Sequence, residues 1–348
     1  MSGVFVAGLG AVSPAGWNVA ALCDSLRRGQ GLPLQTLERP GWPRPLRARL
    51  VPNPAVRPEF LGHPRLRRAS PITHYAAAAA LEAKAGMRTN GHSRGGLGLI
   101  VCLQSGCVNY SRRFLGEALE DPSAASPLLF PETVYAGPAS HVAALLGGVS
   151  LAYTLVGDPG CFLQGIALGA QWLGEERVDA CLIAGSEESD WIIADALWHL
   201  DRPAVVAGGA GALLLSRDAG VSSGAELALI TDAHTFSARV GRTRAARAMR
   251  SQLGEASRGD LLCDGVGEGS RADAAERAAW RDWAGARLSP KRILGDGLMA
   301  GAAWQCVAAC EAVASRRFAA ANVSVVGSNQ QAIGARFVCS ASCGSAAL

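Results

Sequence analysis

The sequence predicts an α/β protein with largely buried sheets. Apolar runs of strand length alternate with segments of helical period along the whole chain. Runs such as GLGLIVCL and VDACLIAG are apolar at nearly every position, the pattern of strands covered on both faces. Glycine-rich turns punctuate the runs.

In order, VFVAGLGAVS reads as a buried strand entering a glycine turn, and WNVAALCDSLRRG as an amphipathic helix closed by glycine. Residues 30 to 64 are proline-rich and lack a period, so they read as an irregular surface segment. RRASPITHYAAAAALEAKAG turns helical, its alanines permitting close packing. GLGLIVCLQSG is a strand, SRRFLGEALE a short helix, and PLLFPETVYAGPASHVAALLGG a turn and a helix. VSLAYTLV is a strand, followed by GDPGCFLQGIALGAQWLGEER, a glycine-rich elbow entering a long apolar helix. VDACLIAGSEES is the next strand. The alternation then repeats. GAGALLLSRD and ELALITDAHTF read as strands, AARAMRSQLGEA as a helix, and GDLLCDGVGEGS as a strand ending in a glycine loop. DAAERAAWRDWAG and GLMAGAAWQCVAACEAVAS are helices, and NVSVVGSN and ARFVCSAS the closing strands. The division falls near Arg217 to Ser223, giving halves of 1–217 and 218–348. No low-complexity linker separates them, so one shared core is expected.

The 348 residues suffice for one large domain or two fused halves. A net charge of +4 without a concentrated basic stripe argues against a nucleic-acid partner. The basic residues are nearly all arginine, with lysine only at Lys84 and Lys291. Arginine forks suit carboxylates and phosphates, and GC-rich codon usage yields the same bias. The N-terminus lacks the basic region of a signal peptide, and the alanine-rich Ala76 to Leu81 is too short to span a membrane. The ten cysteines form no Cys-x-x-Cys pair or zinc pattern. A reducing, cytoplasmic setting without disulfides or metal is expected. No phosphate-binding glycine loop is present, so no nucleotide cofactor is expected.

Seven segments resemble the β-ketoacyl synthases. GLGAVSPAGWN is similar to their opening strand and turn, and LRRASPITHYAAAAALEA to their first packed helix. FPETVYAGPASHVAALLG, CLIAGSEES, GGAGALLLS, KRILGDGLMAGAA and GSNQQAIGARF follow in the family's order. The resemblance implies a thiolase fold, two similar halves stacked as five layers of helix and sheet. It also implies a dimer across the sheets of the N-terminal halves.

That family condenses acyl chains with a thiolate at a helix N-terminus, where the macrodipole favours it. Two histidines stabilise the enolate and oxyanion. In the resemblance, Gly265 stands in the first histidine slot, anchored on Asp273 and Glu276, and Asp296 in the second, anchored on Lys291 and Gly295. Gly267 and Gly269 stand where threonines would bond a phosphopantetheine arm. Glycine has no side-chain donor, and an aspartate has the wrong sign beside a developing anion. The six histidines (His63, His74, His92, His141, His199, His234) occupy neither slot. The nucleophile slot falls on Pro159 counting from Tyr153-Thr154, or on Cys161 counting back from Ala167-Leu168-Gly169.

The pattern resembles the chain-length factors of polyketide and aryl-polyene pathways, partner subunits that keep the fold and lose the triad. The implied partners are a catalytic ketosynthase and, through the complex, an acyl carrier protein. The implied tunnel and interface residues are Gln104, Cys107, Pro131, Thr133, Val134 and Tyr135. Glu187, Glu188 and His141 read as structural, and Lys291 as a partner of Asp296 or Glu268. Two other readings stay open. One is an active acyltransferase using Cys161 with atypical helpers. The other is a carrier-protein or acyl binder using Arg65, Arg67, Arg68, Arg112, Arg113, Arg244 and Arg247.

Overall fold

The computed structural model describes residues 3–86, 96–200, 204–237, 239–254, 257–267, 273–328 and 330–340. Chain order begins with β1 (Val4–Val12), α1 (Val19–Arg28), β2 (Gln35–Leu37), β3 (Leu46–Arg49), α2 (Pro71–Ala85) and β4 (Leu97–Leu103). Next come α3 (Val108–Glu120), α4 (Gly137–Leu146), β5 (Val149–Val156), α5 (Cys161–Gly174), β6 (Ala180–Glu187), α6 (Trp191–Leu200), β7 (Val206–Ala207) and β8 (Gly209–Ser216). The remainder is β9 (Ala225–Ile230), β10 (His234–Thr235), α7 (Arg239–Leu253), β11 (Leu261–Asp264), α8 (Ala274–Ala279), β12 (Ala286–Leu288), α9 (Pro290–Leu294), α10 (Met299–Ala314), β13 (Ala320–Val326) and β14 (Gln331–Cys339).

The strands fall into two sets with the same topology. The first runs β5-β4-β6-β8-β1 and the second β12-β11-β13-β14-β9. Numbered within each set, both read 3-2-4-5-1, and in both the fifth strand is antiparallel to its neighbours. The sets join where β1 meets β9, Val4 to Val6 against Leu227 to Ala225, so the main sheet is continuous over 11 strands.

Helices α5 and α10 lie between the two sets. Helix α10 touches β6 and β8 on one side and β11 and β13 on the other. Helices α2 and α4 cover the outer face of the first set, and α7 packs on β14 of the second. These are the five layers the resemblance implies. The central core draws on both sets, with Phe162, Ile183 and Leu213 in one cluster with Cys263, Val323 and Phe337. One core is thus shared, because both sheets bury their inner faces on the same two helices.

The alanines of α2 have a steric reason. A Cβ at Gly8 or Gly10 of β1 would sit 1.9 Å from the carbonyl oxygen of Ala83 or Ala79. Small residues on both elements let the helix lie against the strand backbone.

Three expectations need correction. Residues 30 to 64 contain β2 and β3, which build a small three-stranded sheet with β7. Its core takes Leu46, Ala48 and Val206 with Trp191 and Trp198 of α6, a helix the sequence reading missed. Strand β12 was also missed, and α8 stops at Ala279, where the sequence pattern extends to residue 285. The nine described cysteines are free, and Cys343 lies outside the described residues. Among the described residues no helix is long and apolar enough to cross a membrane.

Candidate functional site

The positions singled out in the sequence lie around the starts of the two central helices. A Cβ on Gly185, near the end of β6, would touch the Phe162 ring at 2.8 Å and the Met299 carbonyl at 3.1 Å. The first turns of α5 and α10 are therefore neighbours. Cys161 is the first residue of α5. Asp296 lies three residues before α10. Gly265 follows the end of β11, and its Cβ would lie 3.8 Å from Gln305 of α10. In sequence Cys161 lies more than 100 residues before Gly265 and Asp296, and the packing of α5 against α10 brings it toward them.

Cys161 is 7 % exposed. Burial, then the nearby Asp158, pushes its thiol up to about 11. Pro159 lies two residues before it, in the turn, where its carbonyl accepts from Phe162 N at 3.2 Å. The turn is tied to the start of β14. Asp158 accepts from Gln331 Nε2 at 3.0 Å and Gly160 N at 3.2 Å, and its own N–H donates to Gln330 Oε1 at 3.1 Å. Asp158 is 2 % exposed, and burial holds its carboxyl above the usual range.

Gly265 and Gly267 face acidic side chains. Gly265 N donates to Glu276 Oε1 at 3.3 Å, and Glu276 also accepts from Ser324 Oγ. Burial, then Asp264, drives Glu276 well upward. Gly267 N donates to Asp273 Oδ2 at 2.6 Å, while Gly269 lies outside the described residues. Asp296 belongs to an ion-pair cluster. Lys291 Nζ sits 2.8 Å from Asp296 Oδ2 and 3.0 Å from Asp273 Oδ1. Asp296 Oδ1 accepts from Leu298 N at 3.1 Å and shapes the turn into α10. In that turn Leu298 takes φ 48°, ψ −118°, a strained conformation for a residue with a Cβ. The expected Lys291–Asp296 pair is present, Asp273 is the second partner, and Glu268 lies outside the described residues.

Five histidines are described, and four are placed by their contacts or exposure. His74 bonds Leu66 O, His141 pairs with Glu132 at 2.9 Å, and His63 accepts from Arg65 N. His199 is exposed at the end of α6. His234 pairs with Ala332, one residue from Gln331 of the Asp158 network. Alternation along the strand turns His234 to the face opposite Gln331, toward the cluster of Ala332, Phe236 and α7.

The segments implied to wall a tunnel do meet. Cys107 Sγ lies 3.9 Å from Val134 O, and Tyr135 lies over Gly106. Pro131 and Thr133 lie in the turn before α4, where Thr133 Oγ1 donates to Phe130 O at 2.8 Å. Val134 is 42 % and Tyr135 43 % exposed. Two buried glutamates hold the loop after β4. Glu187 accepts from Gln104 N, Ser105 N and Ser105 Oγ. Glu188 accepts from Asn109 N at 2.7 Å, Ile72 N at 3.0 Å and Ser70 Oγ. The clamp was visible in sequence only as two acidic residues ending a strand.

Burial pushes Glu187 up to about 8. Glu82, Asp158, Glu188, Asp264 and Glu276 are raised by the same cause. A carboxyl whose folded pKa exceeds its unfolded one stabilises most when protonated, and that stability is lost as pH rises through the folded value. Stability should therefore fall between pH 6.5 and 8.5, with Glu187 alone contributing about 2 kcal/mol at most. Urea unfolding at both pH values checks this. Glu187→Gln should flatten the slope, and an unchanged slope contradicts the assignment.

No family model matches the sequence, and no curated protein does. Solved structures match over nearly the full length. The ishigamide ketosynthase/chain length factor aligns at TM-score 0.77 with 19 % identity, covering 97 % of this chain and 99 % of that one. A β-ketoacyl synthase from Burkholderia phymatum STM815 aligns at 0.79 with 16 % identity, covering 98 % and 100 %. The chain has the ketosynthase fold. The ketosynthase ApeO in complex with its chain length factor ApeC, from Xenorhabdus doucetiae, gives 0.76 with 15 % identity, covering 97 % and 98 %. On this thiolase-type fold, Cys161 stands at the start of a central helix, and Gly265 and Asp296 lie close to the helix beside it.

Installing the histidines should not restore chemistry. At Gly265 the new side chain meets Glu276 Oε2, 3.3 Å from the Cβ position, so the space an imidazole would need is already taken by a buried carboxyl. At Asp296 it removes one of the two carboxylates on Lys291 and the acceptor for Leu298 N. Gly265→His with Asp296→His is expected to give no condensation product by mass spectrometry and a lower unfolding midpoint. Robust turnover would show that the pocket is otherwise intact.

Proposed function

We propose that this protein is a non-catalytic, chain-length-factor-like partner of a β-ketoacyl-carrier-protein synthase, bounding the acyl tunnel at a heterodimer interface. The observation that carries the reading is the fate of the second slot. Asp296 is committed to Lys291 and to the backbone of Leu298, so it serves as an anchor for the helix start. The repeated strand order supports two halves, 1–217 and 218–348, of which the first carries the interface.

The surface around β5 supports a partner. β5 is the last strand of its set and pairs only with β4 among the described residues. Its Tyr153 and Val156 are about half exposed, as are Leu115 of α3, Phe130, Val134 and Tyr135. An unpaired edge beside exposed apolar side chains is the ordinary mark of an interaction site. Partner association here should bury more than about 2,000 Å², as obligate complexes do.

Alone, the protein should neither decarboxylate malonyl-carrier protein nor condense acyl chains. Reconstituted with an intact synthase, Val134→Trp should shorten the acyl product and leave the first condensation little changed. Unchanged product length in assembled complexes, across substitutions at Thr133, Val134 and Tyr135, would rule out the role for this segment. Condensation by the lone protein, abolished in Cys161→Ala, would establish the acyltransferase reading instead.

A further inference from the structure

The second set of strands carries a polar cleft at the end opposite the slots. It encloses about 810 Å³ between the last turns of α7, the turn after α8 and the residues leading into β11 and β12. Arg247, Arg250, Ser251, Ser257, Arg258 and Trp283 line it. Gly265 and Lys291 lie past the C-terminal ends of β11 and β12, whereas Arg258 and Gly285 precede their first residues. The cleft is therefore separate from the acyl site.

One of its arginines is built in. Arg250 donates to Ala279 O, pairs with Asp282 and lies 5.0 Å over the buried Trp280 ring. Trp283 meets Trp280 edge-on, with centroids 5.4 Å apart, and its Nε1 is fixed by Ala286 O at 3.0 Å. Asp282 is the acidic residue lining the cleft, and Arg250 engages both of its oxygens. Arg247 and Arg258 are exposed and have no acidic partner among the described residues. The negative end of the α7 dipole gives Arg250, in the last turn, a helix-stabilising role. It gives no reason for Arg258, on the following loop, to face the same cleft. Two guanidinium forks without an acidic partner among the described residues, beside two serine hydroxyls and a fixed indole, make an oxyanion receptor with a planar neighbour.

We propose that this cleft binds a phosphate ester, Arg247 and Arg258 gripping the phosphoryl oxygens and Trp283 offering its ring to a planar substituent. The size fits a small molecule, since ligand clefts span roughly 300–1,000 Å³. The test is calorimetric titration of the full-length protein with inorganic phosphate, pyrophosphate and ADP at low salt. Saturable binding is expected with a Kd below about 1 mM for at least one of them. The double variant Arg247→Gln, Arg258→Gln should weaken it at least about tenfold, because charge-assisted pairs to both forks are lost. Both side chains are exposed and unpaired, so the variant should unfold at the wild-type midpoint and still assemble with a synthase partner. Tighter binding of ADP than of pyrophosphate assigns the planar group to Trp283, and equal binding assigns recognition to the oxyanion alone. No saturation up to about 10 mM of any of the three, or wild-type affinity in the double variant, overturns the proposal.

Discussion

Cys161 should react with iodoacetamide about a hundredfold more slowly at pH 7.5 than an ordinary thiol. The thiolate is the nucleophile, and its population falls tenfold for each unit by which the pKa rises. Two effects oppose each other at this position. The start of α5 offers the positive end of a helix dipole, which favours the anion. Burial and the Asp158 carboxylate disfavour it, and the thiol is held near 11 from an ordinary 9.0. Asp158 is itself fixed by Gln331 and the Gly160 amide, so it cannot swing away. Asp158→Asn should raise the rate by no more than about tenfold, since burial is the larger cause and remains. Peptide mapping by mass spectrometry separates Cys161 from the other cysteines. Labelling at the rate of a free thiol, or capture of an acyl group from an acyl thioester, would move the protein to the active-enzyme reading.

Trp304→Ala should destabilise the fold by about 3–5 kcal/mol. Trp304 is fully buried on α10. Its Nε1 donates to Val12 O at 2.9 Å and to Ala210 O at 3.0 Å, and those two residues are paired between β1 and β8. The ring is seated among glycines. A Cβ at Gly209 would lie 2.7 Å from it and one at Gly297 2.5 Å. Truncation leaves a cavity and two buried carbonyls without that donor, and both effects destabilise. Trp304→Phe keeps most of the volume and loses only the donor, so it should cost about 1–3 kcal/mol. Guanidinium unfolding midpoints measure both. Equal losses for the two variants would mean that the hydrogen bonds, rather than the volume, hold the helix.

The alternation of apolar runs and helical periods was enough to place most of the strands of both sets. Each such segment buries a continuous apolar surface, and that periodicity is a local property of the chain. The short elements escaped for the converse reason. β2, β3 and β12 span three or four residues and exist because a neighbouring strand satisfies their backbone. Their side chains carry no period long enough to read. α6 has an apolar composition, but its packing partner is the small sheet, which was itself hidden.

The site divides along the same line. Which residues the resemblance aligns with the two histidines is a matter of sequence alone: Gly265 and Asp296. What those residues do was decided by the tertiary structure. The reactivity of Cys161 depends on burial and on a carboxylate held by residues more than 160 positions away. Lys291 has Asp273 as its second partner because Gly267, just after β11, lies against the Lys291 side chain and its amide donates to the same carboxylate. His234 on β10 pairs with Ala332, next to Gln331 of the Asp158 network, yet strand alternation turns it to the other face. Pairing, burial and electrostatic field are properties of groups brought together in space, and a linear pattern records only which groups are available to be brought.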